Sequence, residues 1–208
     1  MDVANRNVLT NERFQLIGNA EILRAAVSSD GEWLATLESW SNAETNYRDT
    51  RLKFWRFNII QSNYELNTDV LMPHEGGGVV SLAFQPGSVG LDWPCLVSLG
   101  RTDGKFKLWQ LAGEGGDASL KRTFWTCQIA GDFRKMMPTA QSFSEDGSLL
   151  AIAFERTVTL WDPMTTSLNS TLAHSLIDSP IEYKYFQFIL IEELYLFIYF
   201  RQVNGVWT

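Results

Sequence analysis

The residues best suited to chemistry in this sequence are its two histidines and two cysteines: His74, His174, Cys95 and Cys127. His74-Glu75 resembles the start of the zinc-binding His-Glu-x-x-His motif, but glycines at 76–78 follow and no second histidine completes it. The cysteines do not have the Cys-x-x-Cys spacing of zinc sites. With only two histidines, the sequence offers few candidates for a Ser-His-Asp catalytic triad. We therefore expect no catalytic, cofactor-binding or metal-binding residues, and a structural hydrogen-bonding role for His74.

Composition narrows the classes of partner. The 208 residues carry a net charge of −7, which disfavours nucleic-acid binding as the main activity, because proteins that grip phosphate by themselves are usually basic. The most apolar stretch, residues 181–200, still contains four charged side chains, so we expect no membrane span there. The N-terminus shows no apolar signal segment. We expect neither a membrane nor a small-molecule substrate among the partners.

The elements that must position a binding site follow from a motif that occurs three times, at residues 25–55, 79–109 and 140–162. Each copy has an apolar strand, a second apolar strand and a third strand that ends near a tryptophan: Trp55, Trp109 and Trp161. Asp-Gly is a strong hairpin signal, because glycine accepts a positive φ and aspartate tolerates it. One such pair lies in each copy: Asp30-Gly31, Asp103-Gly104 and Asp146-Gly147.

A fourth, outer strand is expected after each tryptophan, at residues 64–68, 125–129 and 167–172. Strands that are apolar on both sides need cover on both faces, and radial stacking of four-stranded sheets provides it. The sequence thus predicts an all-β fold, an incomplete WD40-type β-propeller of about three and a half four-stranded antiparallel blades. The closing tryptophans would pack between neighbouring sheets, and burial of each would contribute roughly 3 kcal/mol.

A single partial propeller domain, 1–208, would contain three blades and part of a fourth: about 20–69, 74–130, 138–173 and 178–208. The alternative for the last segment is a chain end with no role in the repeat. Many WD40 blades are braced by a His–Ser/Thr–Trp hydrogen-bond network, and the repeats here are expected to lack the full network. Blade stability should then depend on apolar packing.

The segments between the repeats carry a more specific resemblance. Four of them resemble the second propeller of the WD repeat-containing protein 75 family: residues 66–75, 96–109, 125–131 and 142–162. That family is similar to the yeast Nan-one component of the small-subunit processome, and the resemblance covers roughly residues 20–172. The family carries two propellers, and the repeats here amount to about half of one.

This resemblance implies a non-enzymatic scaffold of the small-subunit processome, located in the nucleus and nucleolus. It implies support of pre-rRNA transcription and of early 18S rRNA processing in ribosome biogenesis. The partners it implies are other processome proteins, with pre-rRNA or the U3 snoRNP reached only indirectly through the assembly. Cofactors are not implied.

Partner binding is expected on one loop face of the propeller. The loop at residues 39–50 is rich in the aromatic and arginine side chains that dominate interfaces. By repeat position, the Asp103-Gly104 turn and the connection at 131–138 share its face. The candidate partner-binding residues are Trp40, Tyr47, Arg48, Arg101, Lys105, Arg134 and Lys135. The alternative for Trp40 is that its ring folds back onto the blade.

A rival function from another class is a substrate receptor of a ubiquitin ligase or another interaction adaptor. Such receptors often carry Trp-Asp-x-Arg after the third strand of a blade. The matching residues here run from Trp161 to Met164, with methionine in place of arginine, which weakens this alternative. A propeller hydrolase would need a catalytic constellation that the sequence does not supply. Nucleolar enrichment would favour the scaffold, whereas diffuse distribution with a co-purifying ligase would favour the receptor.

Overall fold

The computed structural model describes residues 7–8, 19–42, 47–87, 94–114, 122–173, 188–191 and 195–198. The first sheet contains five strands: β1 (Asn7–Val8), β2 (Asn19–Val27), β3 (Trp33–Asn42), β4 (Tyr47–Asn58) and β5 (Asn63–Leu71). A short 3-10 turn, Glu75–Gly77, leads to the second sheet: β6 (Val79–Phe84), β7 (Cys95–Gly100), β8 (Lys105–Glu114) and β9 (Arg122–Asp132). The third sheet follows: β10 (Pro138–Phe143), β11 (Leu150–Phe154), β12 (Thr157–Trp161) and β13 (Leu168–Ala173).

Each sheet contains an antiparallel meander of four strands, β2–β5, β6–β9 or β10–β13, in which neighbours in sequence are neighbours in space. The sheets are the blades of an incomplete β-propeller, so the predicted all-β fold class is confirmed. β1 adds a fifth strand outside β5 in the first blade. Two further strands, β14 (Phe188–Ile191) and β15 (Tyr195–Ile198), pair antiparallel. The rest of the predicted fourth unit, 178–208, lies outside the described residues.

The three blades share their irregularities as well as their strands. Between the first and second strands, one extra residue bulges in each blade: Leu23, Val80 and Thr139. Between the third and fourth strands, the register shifts beside each closing tryptophan: Trp55, Trp109 and Trp161. Bulges are specific features that bend and twist a strand. Their recurrence at matching positions shows that the repeat is a structural unit.

The Asp-Gly turns lie at two different ends of the blades. Asp30-Gly31 and Asp146-Gly147 join first and second strands, whereas Asp103-Gly104 joins the second and third strands of the second blade. All three glycines have positive φ, between 65° and 73°. In the third blade, Ser144 Oγ donates to Asp146 Oδ1 at 2.6 Å and accepts from Leu149 N at 2.9 Å, which closes the turn.

The apolar core lies between the blades. One cluster joins the first and second blades and is built around Phe54, Trp109 and Trp125. Phe54 stacks on Trp125 with ring centroids 4.4 Å apart. A second cluster joins the second and third blades, where Phe106 contacts Trp161 at 4.9 Å. Two closing tryptophans thus pack between described sheets as predicted.

Trp55 is the exception among the closing tryptophans. It follows Phe54 in β4, and adjacent strand residues point to opposite faces. Its half-buried ring therefore lies on the side of the first blade away from the second. The two outer strands β5 and β9 are linked directly, because Thr68 Oγ1 accepts a hydrogen bond from Trp125 N at 3.0 Å.

Within the described part of the chain, no helix has the length and apolar character needed to cross a bilayer.

Candidate partner-binding site

The connections between neighbouring blades meet turns of the second and third blades at one end of the molecule. Arg101 N, in the second blade, donates to Gly78 O at 2.7 Å, and Glu155 N, in the third, donates to Met137 O at 3.2 Å. The Asp103-Gly104 turn packs against the segment at Met136 and Met137. A Cβ atom added to Gly104 would lie only 3.5 Å from the Met136 carbonyl oxygen. We call this surface the junction face; it comprises residues 72–78, 101–105, 133–137 and 155–156.

Beneath the exposed side chains of the junction face, His74 is fully buried in a hydrogen-bond network of the second blade. Trp109 Nε1 donates to Ser98 Oγ at 2.8 Å, and Ser98 Oγ lies 2.8 Å from His74 Nε2. His74 Nδ1 lies 2.9 Å from Asp103 Oδ2. An ionised carboxylate can only accept, so Nδ1 of the neutral His74 ring carries the proton and donates to Asp103. Nε2 is then unprotonated and accepts from Ser98 Oγ, which in turn accepts from the Trp109 indole N–H, so the network assigns the tautomer.

Asp103 ties this network to the backbone of the junction face. It accepts hydrogen bonds from Lys105 N at 3.1 Å and Glu75 N at 3.3 Å. Burial raises the pKa of Asp103, but donation from His74 and from these backbone groups outweighs it and leaves the pKa below its usual value. Burial lowers the pKa of His74 more than the nearby Asp103 raises it. The imidazole is therefore neutral at neutral pH.

The expectation that the repeats lack a full His–Ser/Thr–Trp network is wrong for the second blade. The residue that permits the network is Gly100, the last residue of β7. A Cβ atom there would collide with His74 Nδ1 and Asp103 Oδ1. A glycine ending an apolar strand, with His74 before it and Asp103 after it, was the signal that sequence reasoning missed. The structural role expected for His74 is confirmed.

The first blade fills the same place with a different set of polar groups. Trp55 Nε1 donates to Thr36 Oγ1 at 2.9 Å, and Thr36 donates to Glu38 Oε1 at 3.3 Å. Glu38 Oε2 lies 2.6 Å from Lys53 Nζ, and both side chains are buried. Trp40 Nε1 donates to the same Glu38 oxygen at 3.2 Å, and Lys53 Nζ lies 5.1 Å from the centre of the Trp40 ring.

The structure thus places Trp40 against its own sheet, half buried, as in the alternative considered for it. Two other predicted residues of the same hairpin, Tyr47 and Arg48, lie in β4 and pair with Asn42 and Ser41. Their side chains and the loop tip at 43–46 lie outside the described residues. A binding role for these three residues remains a prediction.

The remaining predicted residues all lie on the junction face: Arg101, Lys105, Arg134 and Lys135. Lys105 is half buried and the other three are exposed. The Arg134 guanidinium lies 5.1 Å from the centre of the Phe133 ring. The exposed residues of this face that sequence reasoning missed include Met137 and Arg156. Arg156 occupies the tight turn between two short apolar strands, a position that the repeat pattern makes identifiable.

The described residues hold no group of three or more histidine, cysteine, aspartate or glutamate side chains placed to bind a metal ion. Both cysteines are free. Burial raises the pKa of the Cys95 thiol to about 12, and burial also raises the pKa of Cys127. Both are therefore protonated at neutral pH, and a thiol in that state is a poor nucleophile and metal ligand.

Comparison with known proteins covers most of the chain. Residues 1–182 match the family described as WD repeat-containing protein 75 second beta-propeller. The chain is similar to WD repeat-containing protein 75 of Homo sapiens, with 38% identity over 151 residues, 73% of this chain and 18% of that protein. The Mus musculus protein is 34% identical over 171 residues, 82% of this chain and 20% of its own length. The chain therefore spans about a fifth of the relatives it matches.

Proposed function

The chain belongs to the WD repeat-containing protein 75 second β-propeller family, and from this premise we propose that it is a scaffold of the small-subunit processome in the nucleolus. In this role it supports pre-rRNA transcription and early 18S rRNA processing. Its direct partners are other processome proteins, and pre-rRNA or the U3 snoRNP is reached through them. The observation that carries the proposal is the family match over residues 1–182.

The burial and hydrogen bonding of His74 support a non-enzymatic role. The side chain with the greatest catalytic potential, His74, is fully buried, and both ring nitrogens are engaged, with Ser98 and Asp103. A general base must come within hydrogen-bond reach of the proton it abstracts. His74 has no free ring nitrogen to offer a substrate, so it positions loops. We propose that the junction face, which His74 supports, is the surface that this scaffold presents to its partners.

A direct test expresses the full 208-residue chain with a fluorescent tag and an affinity tag. We expect enrichment in nucleoli and co-precipitation of processome proteins and small-subunit pre-rRNA. A folding control is Lys53→Ala, which breaks a buried ion pair at a site outside the junction face and should abolish both signals by unfolding the first blade. Diffuse distribution with recovery of a ubiquitin ligase would contradict the proposal and support the receptor alternative.

A further inference from the structure

The turn that carries Arg134 and Lys135 has an unusual backbone for its sequence. Met136 N donates to Phe133 O at 2.9 Å, which closes a four-residue turn. Its two central residues both have positive φ, 50° at Arg134 and 60° at Lys135. Two consecutive positive φ values are the signature of a type I′ turn, which strongly favours Asn-Gly at its centre. A Cβ makes this conformation strained, so Arg-Lys stores conformational energy there.

The contacts of these two side chains within the fold do not account for the strain. Lys135 is 89% exposed, and its Nζ lies 3.7 Å from Asp132 in a surface ion pair, which contributes little to stability. Arg134 is exposed above the Phe133 ring. Arg134 and Lys135 therefore hold a backbone conformation of high energy, although Asn-Gly would form the same turn with less strain. Backbone strain of this kind is retained where the displayed side chains have a use.

Neighbouring residues on the junction face complement these cations. Arg101 and Arg156 are exposed in adjoining turns that are hydrogen bonded to the same surface. Between them, Met137 is 42% exposed, and methionine is an adaptable apolar contact. Arginine recognises carboxylates with paired hydrogen bonds. The face therefore combines carboxylate-binding groups with an apolar contact.

We propose that the junction face binds an acidic segment of a partner protein, and that the strained turn at Phe133–Met136 presents Arg134 and Lys135 to its carboxylates. The proposal rests on the scaffold function above and names the chemistry of its partner. A protein segment fits better than RNA. The chain has a net charge of −7, and the exposed carboxylates of Glu75, Asp132 and Glu155 lie among the cations, so the face lacks the continuous basic stripe that binds a nucleic-acid backbone. A short acidic segment needs only paired hydrogen bonds to one or two arginines and one apolar contact.

The test uses the full chain and two double variants of this turn. Arg134→Asn with Lys135→Gly relieves the strain and removes the charges, whereas Arg134→Glu with Lys135→Glu keeps the strain and reverses the charges. The probe is a short fluorescein-labelled peptide of aspartates and glutamates around a central leucine. We expect both variants to lose affinity for it by at least about tenfold. The Asn-Gly variant should also melt about 3 °C higher than the parent chain.

Arg56→Asn is the matched control, because Arg56 is an exposed cation of the first blade that pairs with Glu32 away from the junction face. It should bind the peptide as the parent chain does. Unchanged peptide binding by the Asn-Gly variant, or a lower melting temperature, would overturn the proposal. So would tighter binding of a single-stranded oligouridylate of equal charge. Nucleolar enrichment of the parent chain is scored separately, so loss of peptide binding and failure of the scaffold function are distinguishable.

Discussion

The first and second blades bury polar groups at the same place and stabilise them by opposite means. In the second blade, neutral hydrogen bonds run from Trp109 through Ser98 to His74, and only the last partner, Asp103, is charged. In the first blade, the chain from Trp55 through Thr36 ends in a buried ion pair between Glu38 and Lys53.

The residue at one position of the second strand determines whether a blade has a histidine network or an ion pair. Glu38 and Gly100 both lie four residues beyond the leucine that faces the closing tryptophan, Leu34 or Leu96. Glycine leaves room for the imidazole that enters from the connection between blades, whereas glutamate supplies a carboxylate from the strand itself. The third blade has Phe154 at this position, so no carboxylate is available and the network ends earlier.

In the third blade the hydroxyl group comes from a different strand. Trp161 Nε1 donates to Thr159 Oγ1 at 2.7 Å, and Thr159 donates to the Ile152 carbonyl oxygen at 2.9 Å. All three blades therefore satisfy the indole N–H with a hydroxyl oxygen. What differs is the group behind that hydroxyl: a backbone carbonyl, a neutral histidine or an ion pair. In every blade the indole N–H of the closing tryptophan has a hydroxyl acceptor. The residues around that hydroxyl determine which group it bonds to in turn, and these residues differ from blade to blade.

The largest expected effect is on the first blade. Lys53→Ala leaves Glu38 charged and buried without its cation, so the free energy of unfolding should fall by about 4 kcal/mol in urea denaturation. The equivalent lysine of the second blade, Lys107, donates to the Pro73 carbonyl oxygen at 2.6 Å. Lys107→Ala should cost only about 1 kcal/mol, because it leaves no unpaired charge.

A double variant sharpens this prediction. Replacing Glu38 and Lys53 together with methionine removes both charges and should cost far less than Lys53→Ala, because only the hydrogen bonds that Thr36 and Trp40 donate to Glu38 are then lost. If the double variant were as unstable as Lys53→Ala, the ion pair would not be the reason for the loss.

The next largest effect is at Gly100. Gly100→Ala places a methyl group in the space of His74 and Asp103, and the imidazole must leave the network. Overpacking of this kind should destabilise the chain by about 3 kcal/mol, measured by urea denaturation. The imidazole NMR signals of His74 should shift as well. An alanine variant with full stability and unchanged His74 signals would show that the glycine is not required for the network.

A smaller loss of stability should distinguish the hydroxyl groups of Ser98 and Thr36. Ser98→Ala deprives both the Trp109 indole and His74 Nε2 of their partner, and we expect a loss of about 2 kcal/mol in the free energy of unfolding. Thr36→Ala removes the partner of the Trp55 indole, which is half buried and therefore nearer to water. It should cost about 1 kcal/mol. Equal losses would contradict the difference in burial that we assign to the two sites.

Much of this fold could be predicted from the sequence, because the strand pattern, the Asp-Gly turns and the tryptophans are local signals. The network of the second blade could not, since it unites His74, Ser98 and Asp103 across three separate elements. The position of Trp40 also depended on long-range pairing, because the buried pair of Glu38 and Lys53 determines where its ring packs. Likewise, the backbone strain at Arg134 and Lys135 leaves no trace in residue types alone.

The smallest effect is a dependence on pH that only the second blade should show through its histidine. Burial lowers the pKa of His74 below the 6.5 of an unperturbed histidine, so the unfolded chain binds the proton more readily than the folded chain. The stability contributed by the neutral ring is complete above about pH 6.5 and declines as the pH falls below it, by at most about 1.4 kcal/mol per pH unit. Urea denaturation at pH 7.5 and 5.5 should show this decline in the parent chain and a smaller one in His74→Gln. Stability that rose on acidification over this range would mean that the folded state holds the imidazole as a cation paired with Asp103, and the second blade would then use an ion pair as the first blade does.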